Sequence, residues 1–341
     1  MSRAPQVRLP AADRTLRAIA DALITLAHPR LAVTFRRRMG YWPRPALPER
    51  LHEKFLWRKL FDRDPRHVEL SDKLLAKLHV RKRWPDIRVP AVYWQGADPA
   101  EVPEAILAGD CAIKANHGSG MNLFVRAGAV DRARLTVLAR RWLRRVYGRR
   151  HREWAYRKIP ARLFAEQLLV KDGALVSPDY KLYVTGGECV YGFVKFNRHD
   201  ATVHEAVLDR DGRPHPVLTD SGMTGRAVDR PAHWDRLVEA AEAMGADLDC
   251  VRVDLYEIGG EVWFSEFTFY SQAGYCWIDD RELLSQLNRK WDISRSWFLS
   301  TPQTGIKGAY ARLLRSWLDM SAQTPVGAAP ASGAFLPRKN G

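Results

Sequence analysis

A lysine followed closely by a small glycine-rich loop is the first feature of this sequence that could do chemistry. The apolar run Cys111–Ile113 ends at Lys114, and the loop His117-Gly118-Ser119-Gly120 comes directly afterwards. A lysine at the end of an apolar strand is rarely buried without a partner. A lysine beside a flexible loop of backbone N–H groups suits polyphosphate. We therefore interpret Lys114 as a phosphate ligand rather than a surface lysine, and His117 as either a phosphate or acid–base group or a loop cap.

The second feature is a predicted hairpin that carries two carboxylates. The run 251–257 turns at Gly259-Gly260 and returns over 261–268, which brings Asp254 and Glu266 to the open end of the hairpin. Two carboxylates held together repel each other unless a cation lies between them. Oxygen ligands of this kind suit Mg²⁺, so we predict a magnesium site; the alternative is a salt bridge between Asp254 and Arg252. The two features together suggest an enzyme that uses ATP.

The composition indicates a folded and strongly basic protein. A hydrophobic fraction of 46% with 12 Trp argues against a disordered chain. No apolar run approaches the roughly 20 residues that span a bilayer, and we expect no signal peptide. The four cysteines lie far apart without a CxxC motif, which favours a reducing compartment over disulfides or zinc. We therefore expect a cytoplasmic protein. Peripheral contact with the inner face of the membrane is a second hypothesis.

The net charge of +15 attracts nucleic acid, anionic membranes, nucleotides or acidic polymers without choosing among them. The arginine clusters over 36–38 and 140–152 are either solvated helix faces or a surface for an acidic polymer or lipid. No nucleic-acid-binding motif is recognisable, so we expect no nucleic-acid partner. The basic N-terminal region remains a candidate for peripheral membrane contact.

Periodicity predicts an α+β fold with mainly antiparallel sheets, because helices and hairpins are mixed without a βαβ rhythm. The predicted helices cover 13–27, 49–62, 72–83, 131–147 and 232–246. The predicted strands cover 89–94, 111–114, 122–126, 163–170, 180–184, 189–195 and 204–208, followed by the carboxylate hairpin. For the amphipathic helix at 13–27 we favour docking on the domain over lying on a membrane.

The predicted domain organisation has four parts. Residues 1–48 form an N-terminal amphipathic helix and a basic, Pro-rich segment, and 49–300 form the catalytic region, with a lid subdomain at about 111–165. A C-terminal helix covers 301–320. Residues 321–341, rich in Ala, Pro, Gly and Ser, are predicted to be a disordered tail.

The order of these motifs resembles the ATP-grasp superfamily. Asp72-Lys73 comes first, then Lys114 with its loop, then Glu166 at a strand end, and last the Arg252-Val253-Asp254 run with Glu266. More specifically, the sequence resembles the TupA-like branch, linked to teichuronopeptide and other cell-envelope polysaccharide synthesis. That resemblance covers roughly 50–290 and is carried by four segments: His117–Gly120, Glu153–Tyr156, Asp179–Lys181 and Val251–Tyr270.

The resemblance implies an ATP-grasp fold, with two to three α+β subdomains around a nucleotide cleft, and implies roles for particular residues. Lys73 and Lys114 would contact the ATP phosphates, and the backbone of His117 to Gly120 would cover the β- and γ-phosphates. Adenine would meet the hinge Glu166, Gln167, Leu168 and Leu169, and Asp179 would bind ribose. Arg252 would point to the transferred phosphate, with Lys181, Lys195 and Arg198 as further candidates, and magnesium would bind Asp254 and Glu266.

One position departs from the superfamily pattern. Many members carry Asn two residues after the metal-binding Glu, whereas this chain has Thr268. A Thr hydroxyl can still act through a water, so the resemblance leaves one or two magnesium ions open.

The implied reaction is ATP- and Mg²⁺-dependent amide formation through an acyl phosphate, in cell-envelope or capsular polysaccharide biosynthesis. The implied substrate is an anionic sugar or an amino acid. The alternatives are a sugar or polysaccharide kinase or transferase that uses the same cleft, and a non-catalytic module that binds a nucleotide or polymer.

Overall fold

The computed structural model describes residues 9–171, 173–175, 178–196, 204–219, 222–223, 228–275 and 280–322. The chain folds into two compact units. The first is built from residues up to Asp64, the segment from Tyr270 and the chain from Asp292 onward; the second contains Pro65–Phe269 and the segment that ends at Trp291.

The described chain begins with helices, continues with strands and helices, and ends with helices. The helices are α1 Ala11–Ala27, α2 Pro29–Met39, α3 Leu51–Leu60, α4 Pro65–Ser71, α5 Lys73–Arg83, α6 Glu104–Leu107, α7 Arg132–Leu143, α8 Trp234–Gly245, α9 Arg281–Lys290, α10 Trp297–Ser300 and α11 Gly305–Ala322. The strands are β1 Val92–Gly96, β2 Cys111–Ala115, β3 Asn122–Val125, β4 Leu163–Gln167, β5 Val170–Lys171, β6 Ala174–Leu175, β7 Asp179–Thr185, β8 Glu188–Phe196, β9 His204–Asp209, β10 Pro214–His215, β11 Leu218–Thr219, β12 Gly222–Met223, β13 Cys250–Ile258 and β14 Glu261–Thr268.

A four-stranded antiparallel sheet in the second unit, of order β1-β4-β2-β3, has one face in the core. Side chains alternate across a strand, so every second residue of β2 and β4 points to that face. These residues, among them Ile113 and Ala165, pack with Leu135, Ala139 and Trp142 of α7. The intervening residues of the same strands are therefore directed to the opposite face.

A six-stranded antiparallel sheet in the same unit has the order β10-β9-β8-β7-β13-β14. Helix α8 buries Trp234, Leu237, Val238 and Ala241 and contacts β7, β8 and β13. The carboxylate hairpin β13–β14 lies at one edge of this sheet, with β7 as its inner neighbour.

The first unit is helical and has an aromatic core. The indole N–H of Trp57 donates to the hydroxyl of Tyr310 on α11 at 2.8 Å, and Phe298 packs edge-on against Trp57. Helix α1 is tied to this unit by polar side chains, because Trp317 donates to Asp13 at 3.0 Å and Arg17 donates to the carbonyl of Leu47 at 3.0 Å.

The prediction of an α+β fold with mainly antiparallel sheets is confirmed, while the local predictions differ from the structure at several places, including the following. Helix α2 was not predicted, because consecutive arginines and nearby prolines hide its short apolar face of Leu31, Ala32 and Phe35. Helix α7 ends at Leu143 rather than 147. The strand predicted over 163–170 is interrupted after Gln167.

The predicted domain boundaries at 48, 300 and 320 stay predictions, and the tail lies outside the described residues beyond 322. Among the described helices, none alone is long and apolar enough to cross a membrane. Only α1 and α2 taken together meet that requirement, and they are bent by 104°.

Candidate active site

A cavity of about 310 Å³ lies inside the second unit, between the four-stranded sheet and the carboxylate hairpin. It combines basic, acidic and apolar side chains with the glycine loop. Its lining comprises Lys73, Lys77, Pro90, Ala112, Lys114, Gly118, Ser119, Gly120, Met121, Asn122, Phe124, Phe164, Glu166, Gln167, Leu168, Leu169, Leu175, Asp254, Tyr256, Phe264, Ser265 and Glu266.

One wall of the cavity is the outer face of the four-stranded sheet. In the antiparallel register Lys114 lies opposite Phe164, and Ala112 lies opposite Glu166. On the other side of β2, Lys114 pairs with Asn122 and Ala112 with Phe124. Strand alternation therefore delivers a lysine, a glutamate and two phenylalanines to one surface while their neighbours fill the core.

Glu166 is held between two lysines on this wall. Its Oε1 lies 2.5 Å from Lys114 Nζ and its Oε2 lies 2.9 Å from Lys77 Nζ. Burial alone would raise the pKa of Glu166, but the two ammonium groups outweigh it and lower the pKa to about 2. Burial lowers the pKa of Lys77, and Glu166 opposes that shift. One buried carboxylate thus contacts two lysine amines on this wall, one at each of its oxygens.

The glycine loop joins β2 to β3 and its backbone reaches the cavity at Gly118 to Gly120. A Cβ on Gly118 would lie 2.6 Å from the ring of Tyr147, so only glycine fits there. Gly120 has a φ of 71°. His117 is buried beneath the loop, with Nε2 3.1 Å from the carbonyl of Arg145, and burial lowers the pKa of its imidazole. This contact favours the loop-cap interpretation of His117.

Asp72 and Asn116 tie the start of helix α5 to the glycine loop. Asp72 caps α5 by accepting from the backbone N–H of Leu74 at 2.9 Å, and it also accepts from the Asn116 side chain at 2.9 Å. The backbone N–H of Lys73 donates to the carbonyl of Asn116 at 3.1 Å. These bonds fix the position of Lys73, whose ammonium group lies 2.5 Å from Glu266 Oε2.

Asp254 and Glu266 face each other across the hairpin, as the sequence predicted. They are direct partners in the β13–β14 register, and the pairing then shifts so that Leu255 pairs with Phe264. The shift leaves Ser265 as a bulge next to Glu266, and bulges re-aim neighbouring side chains. Both carboxylates line the cavity together with Lys73 and Lys114.

Cationic side chains contact the oxygens of both carboxylates, Asp254 and Glu266. Arg252 holds Asp254 through two bonds, at 2.6 and 2.7 Å, and Lys181 Nζ lies 2.8 Å from Asp254 Oδ2. Burial acts to raise the pKa of Glu266, but Lys73 and Arg252 outweigh it and hold that pKa well below its usual range. The salt bridge between Arg252 and Asp254, the alternative to metal binding, is thus present.

Two of the other predicted site residues, Asp179 and Thr268, bond the cations that also hold Asp254. Asp179 is buried and accepts from Lys181 at 2.7 Å, and the hydroxyl of Thr268 accepts from Arg252 at 3.0 Å. Lys195 pairs with Glu205 at 2.6 Å. Arg198 lies outside the described residues. Arg252, Lys181, Asp179, Thr268, Lys195 and His117 do not line the cavity, whereas Lys73, Lys114, Gly118 to Gly120, Glu166 to Leu169, Asp254 and Glu266 do.

Sequence reasoning missed Lys77 and most of the apolar lining. Lys77 follows Lys73 by one helical turn, so the i, i+4 spacing on α5 was a usable signal. Phe124 and Phe164 would have followed from the alternation of β3 and β4 about Lys114 and Glu166.

The described residues offer a magnesium ion two protein ligands, the carboxylates of Asp254 and Glu266. Asp254 and Glu266 offer hard oxygen ligands on adjacent strands, and within the described residues no cluster of three or more His, Cys, Asp or Glu side chains is suited to a metal. Remaining ligands would therefore come from water and from a phosphate-bearing substrate, which is the usual pattern for magnesium.

Solved structures similar to this chain include three ATP-grasp and D-alanine–D-alanine ligase structures. The ATP-grasp ligase PsnB complexed with a minimal precursor is 15% identical, with a TM-score of 0.36, and the alignment covers 74% of this chain and 62% of that one. D-Alanine–D-alanine ligase from Bacillus anthracis complexed with ATP is 14% identical, with a TM-score of 0.37 and coverages of 75% and 67%. The Helicobacter pylori D-alanine–D-alanine ligase is 15% identical, with a TM-score of 0.39 and coverages of 70% and 66%.

This chain thus spans less than two thirds of the length of PsnB, and no curated protein matches it. The model of one family, TupA-like ATPgrasp, matches residues 53–287. That range contains every residue that lines the cavity, and it covers more than half of the chain. The protein belongs to the TupA-like ATP-grasp family.

Proposed function

We propose that this chain is an ATP-dependent ligase that joins a carboxylate to an amine through an acyl phosphate. The observation that carries the proposal is a single cavity in which Lys73, Lys77 and Lys114 and the glycine loop face the carboxylates Asp254 and Glu266. Lysines and backbone N–H groups suit a triphosphate. The carboxylates suit the cation that accompanies it.

The cavity divides into an apolar and a charged part by the chemistry of its lining. Phe124, Phe164, Leu168 and Leu175 offer apolar contacts to a nucleotide base, and the hinge backbone from Gln167 to Leu169 offers polar groups to its edge. Lys73 and Lys114 supply positive charge for the phosphates. Arg252, which bonds Asp254 at 2.6 and 2.7 Å, would meet the transferred phosphate beside the carboxylate pair.

Magnesium, held by Asp254 and Glu266, would neutralise charge on the transferred phosphate. Before nucleotide enters, Lys73, Lys181 and Arg252 hold the same two carboxylates at short distance. The cations would then pass from carboxylate oxygens to phosphate oxygens as the site fills. No side-chain nucleophile is needed, because positioning and charge stabilisation supply the catalysis of phosphoryl transfer.

The proposed reaction has two steps. A substrate carboxylate oxygen attacks the γ-phosphorus, the bond from that phosphorus to the bridging oxygen breaks, and ADP leaves. An amine then attacks the acyl carbon of the acyl phosphate, inorganic phosphate leaves and the amine loses a proton. Each turnover therefore yields one amide, one ADP and one phosphate.

We further propose that the carboxylate belongs to an anionic sugar or an amino acid in cell-envelope or capsular polysaccharide biosynthesis, in the cytoplasm. The support is the family to which the chain belongs, together with its net charge of +15. A positive field concentrates anionic substrates near the protein.

The test is ADP release from ATP and magnesium over a panel of uronic acids and amino acids, with mass spectrometry of the products. We expect one carboxylate–amine pair to stimulate release and to yield an amide. A phosphorylated product without an amide would indicate a kinase instead. ATP binding without stimulated release by any pair would favour a nucleotide-binding module.

Glu266→Gln and Asp254→Asn should each abolish the stimulated release, while thermal unfolding and circular dichroism verify the fold. The matched control is Glu261→Gln, a carboxylate on the same strand that is paired with Arg88 and does not line the cavity. Full activity in both Glu266→Gln and Asp254→Asn would refute the proposed role of the carboxylate pair.

A further inference from the structure

Helix α1 has polar contacts on the face towards its unit and exposed apolar residues on the outer face, the reverse of an ordinary surface helix. Two of its charged residues point to the first unit, where Arg17 bonds Glu49 at 2.9 Å and Asp21 accepts from the backbone N–H of Ala46 at 2.7 Å. Its large apolar residues point outward. They recur every three or four positions and are 43–75% exposed: Leu16, Ile19, Leu23 and Leu26. We call these four residues the α1 stripe.

The α1 stripe cannot be buried by rolling the helix onto its own unit. A roll would break the bonds of Arg17 and Asp21 and the bond from Trp317 to Asp13. Loss of such bonds would leave buried polar groups without partners. The contacts of the folded unit therefore hold the stripe outward, and contiguous exposed apolar surface of this kind marks an interaction site.

Positive charge follows the α1 stripe along the chain. Residues 22–48 contain five arginines and no Asp or Glu. Arg36, Arg37 and Arg38 at the end of α2 are exposed. Trp42, just beyond that helix, is 57% exposed. An exposed apolar stripe, a cluster of exposed arginines and an exposed tryptophan are the three features that interfacial membrane-binding segments combine.

We propose that the α1 stripe and the adjoining arginines bind the surface of an anionic lipid membrane. The leucine and isoleucine side chains would enter the boundary between headgroups and acyl chains, and Arg36 to Arg38 would contact anionic headgroups. A symmetric dimer through the same face fits less well, because it would bring identical arginine clusters towards each other. This inference does not depend on the ATP cavity.

The experiment is co-sedimentation of the full chain with vesicles of phosphatidylcholine alone and of phosphatidylcholine mixed with phosphatidylglycerol. We expect binding only to the mixed vesicles, weakened by salt. Leu23→Ser/Leu26→Ser should weaken that binding at least about tenfold. Arg36→Gln/Arg37→Gln/Arg38→Gln should weaken it about a hundredfold at low salt.

Two matched controls test whether vesicle binding depends on this face in particular. They remove exposed leucines and exposed arginines from other parts of the protein. Leu75→Ser/Leu78→Ser removes two leucines of α5 that are 43% and 58% exposed, and it should leave vesicle binding unchanged. Arg140→Gln/Arg141→Gln/Arg144→Gln removes the same charge from the exposed arginines at the end of α7, and it should weaken binding far less than the α2 triple variant.

Failure of wild-type protein to bind mixed vesicles, or equal binding by the stripe variant, would overturn the proposal. A wild-type dimer in light scattering that becomes a monomer in Leu23→Ser/Leu26→Ser would also overturn it, because a second copy would then cover the stripe. ADP release by this variant without lipid should equal that of wild type, so a failed ligase assay and a failed vesicle assay remain distinguishable.

Discussion

Removal of the buried lysine Lys77 should show whether the charges around Glu166 act as one unit. Glu166 has an ordinary carboxyl pKa of 4.5 that falls to about 2 in the folded protein, which corresponds to about 3 kcal/mol of stability at neutral pH. Because the side chains of Lys77 and Glu166 are both 3% exposed, solvent screens little of their electrostatic interaction. Loss of one member of a buried ion pair costs about 3–5 kcal/mol. We therefore expect Lys77→Met to destabilise the protein by about 3 kcal/mol.

The assay is urea unfolding of wild type, Lys77→Met, Glu166→Gln and the double variant, followed by circular dichroism. Glu166→Gln leaves two lysines without their carboxylate, so its cost should be at least that of Lys77→Met. The double variant leaves Lys114 alone, and its side chain is 26% exposed. We expect the double variant to be more stable than the summed single effects predict, by at least about 1.5 kcal/mol.

The pH dependence gives an independent check with a defined sign. The pKa of Glu166 is lowered on folding, so its contribution to stability is fully present above pH 4.5 and is lost as the pH falls towards 2. The stability difference between wild type and Glu166→Gln should therefore be constant between pH 7 and 5 and shrink below about 4.5. Strictly additive single effects, or a difference that grows in acid, would refute the ion pairs of Glu166 as described.

Three further outcomes follow from the cavity. Lys114→Ala should weaken ATP binding in calorimetry at least about tenfold, because a charge-assisted phosphate contact is lost; unchanged affinity would contradict the phosphate role. Gly118→Ala should raise the Kd for ATP with little loss of secondary structure, because its Cβ would lie 2.6 Å from the Tyr147 ring; wild-type affinity would contradict that steric argument. Asn116→Ala should lower the stability by about 1–3 kcal/mol in urea unfolding, because it removes a donor to Asp72; an unchanged midpoint would show that the bond contributes little.

The parts of the site that the sequence predicted are those in which chemistry and periodicity coincide. The hairpin turn alone brings Asp254 and Glu266 to the same end of the hairpin. Counting from the turn would place Asp254 opposite Ser265, and only the bulge at Ser265 makes Glu266 its direct partner. Lys114 was found because a lysine at the end of an apolar strand needs a partner. The identity of that partner, Glu166, depends on the pairing of β2 with β4, which are separated in sequence by α7. Local pattern carries no information on such a long-range register.

The same reasoning explains what the sequence left out. Helix α2 was missed because its buried face has only three residues, too few to stand out among arginines. Lys181 was assigned to the γ-phosphate, but the structure shows it between Asp179 and Asp254. The carboxylate that a long cationic side chain contacts is determined by packing in three dimensions, which local sequence does not specify. The prediction that Lys181 contacts a phosphate stays open, since a bound nucleotide would offer it another partner.

The ion pairs around the cavity have one more consequence, which concerns how nucleotide reaches it. The charged groups of the centre nearly cancel one another: the cations are Lys73, Lys77, Lys114, Lys181 and Arg252, and the anions are Glu166, Asp179, Asp254 and Glu266. Most of the net charge of +15 must then lie elsewhere on the protein. If the chain binds ATP as proposed, long-range attraction of the nucleotide would come from the remote surface. Added salt should then slow ATP association much more than it changes the steps that follow binding.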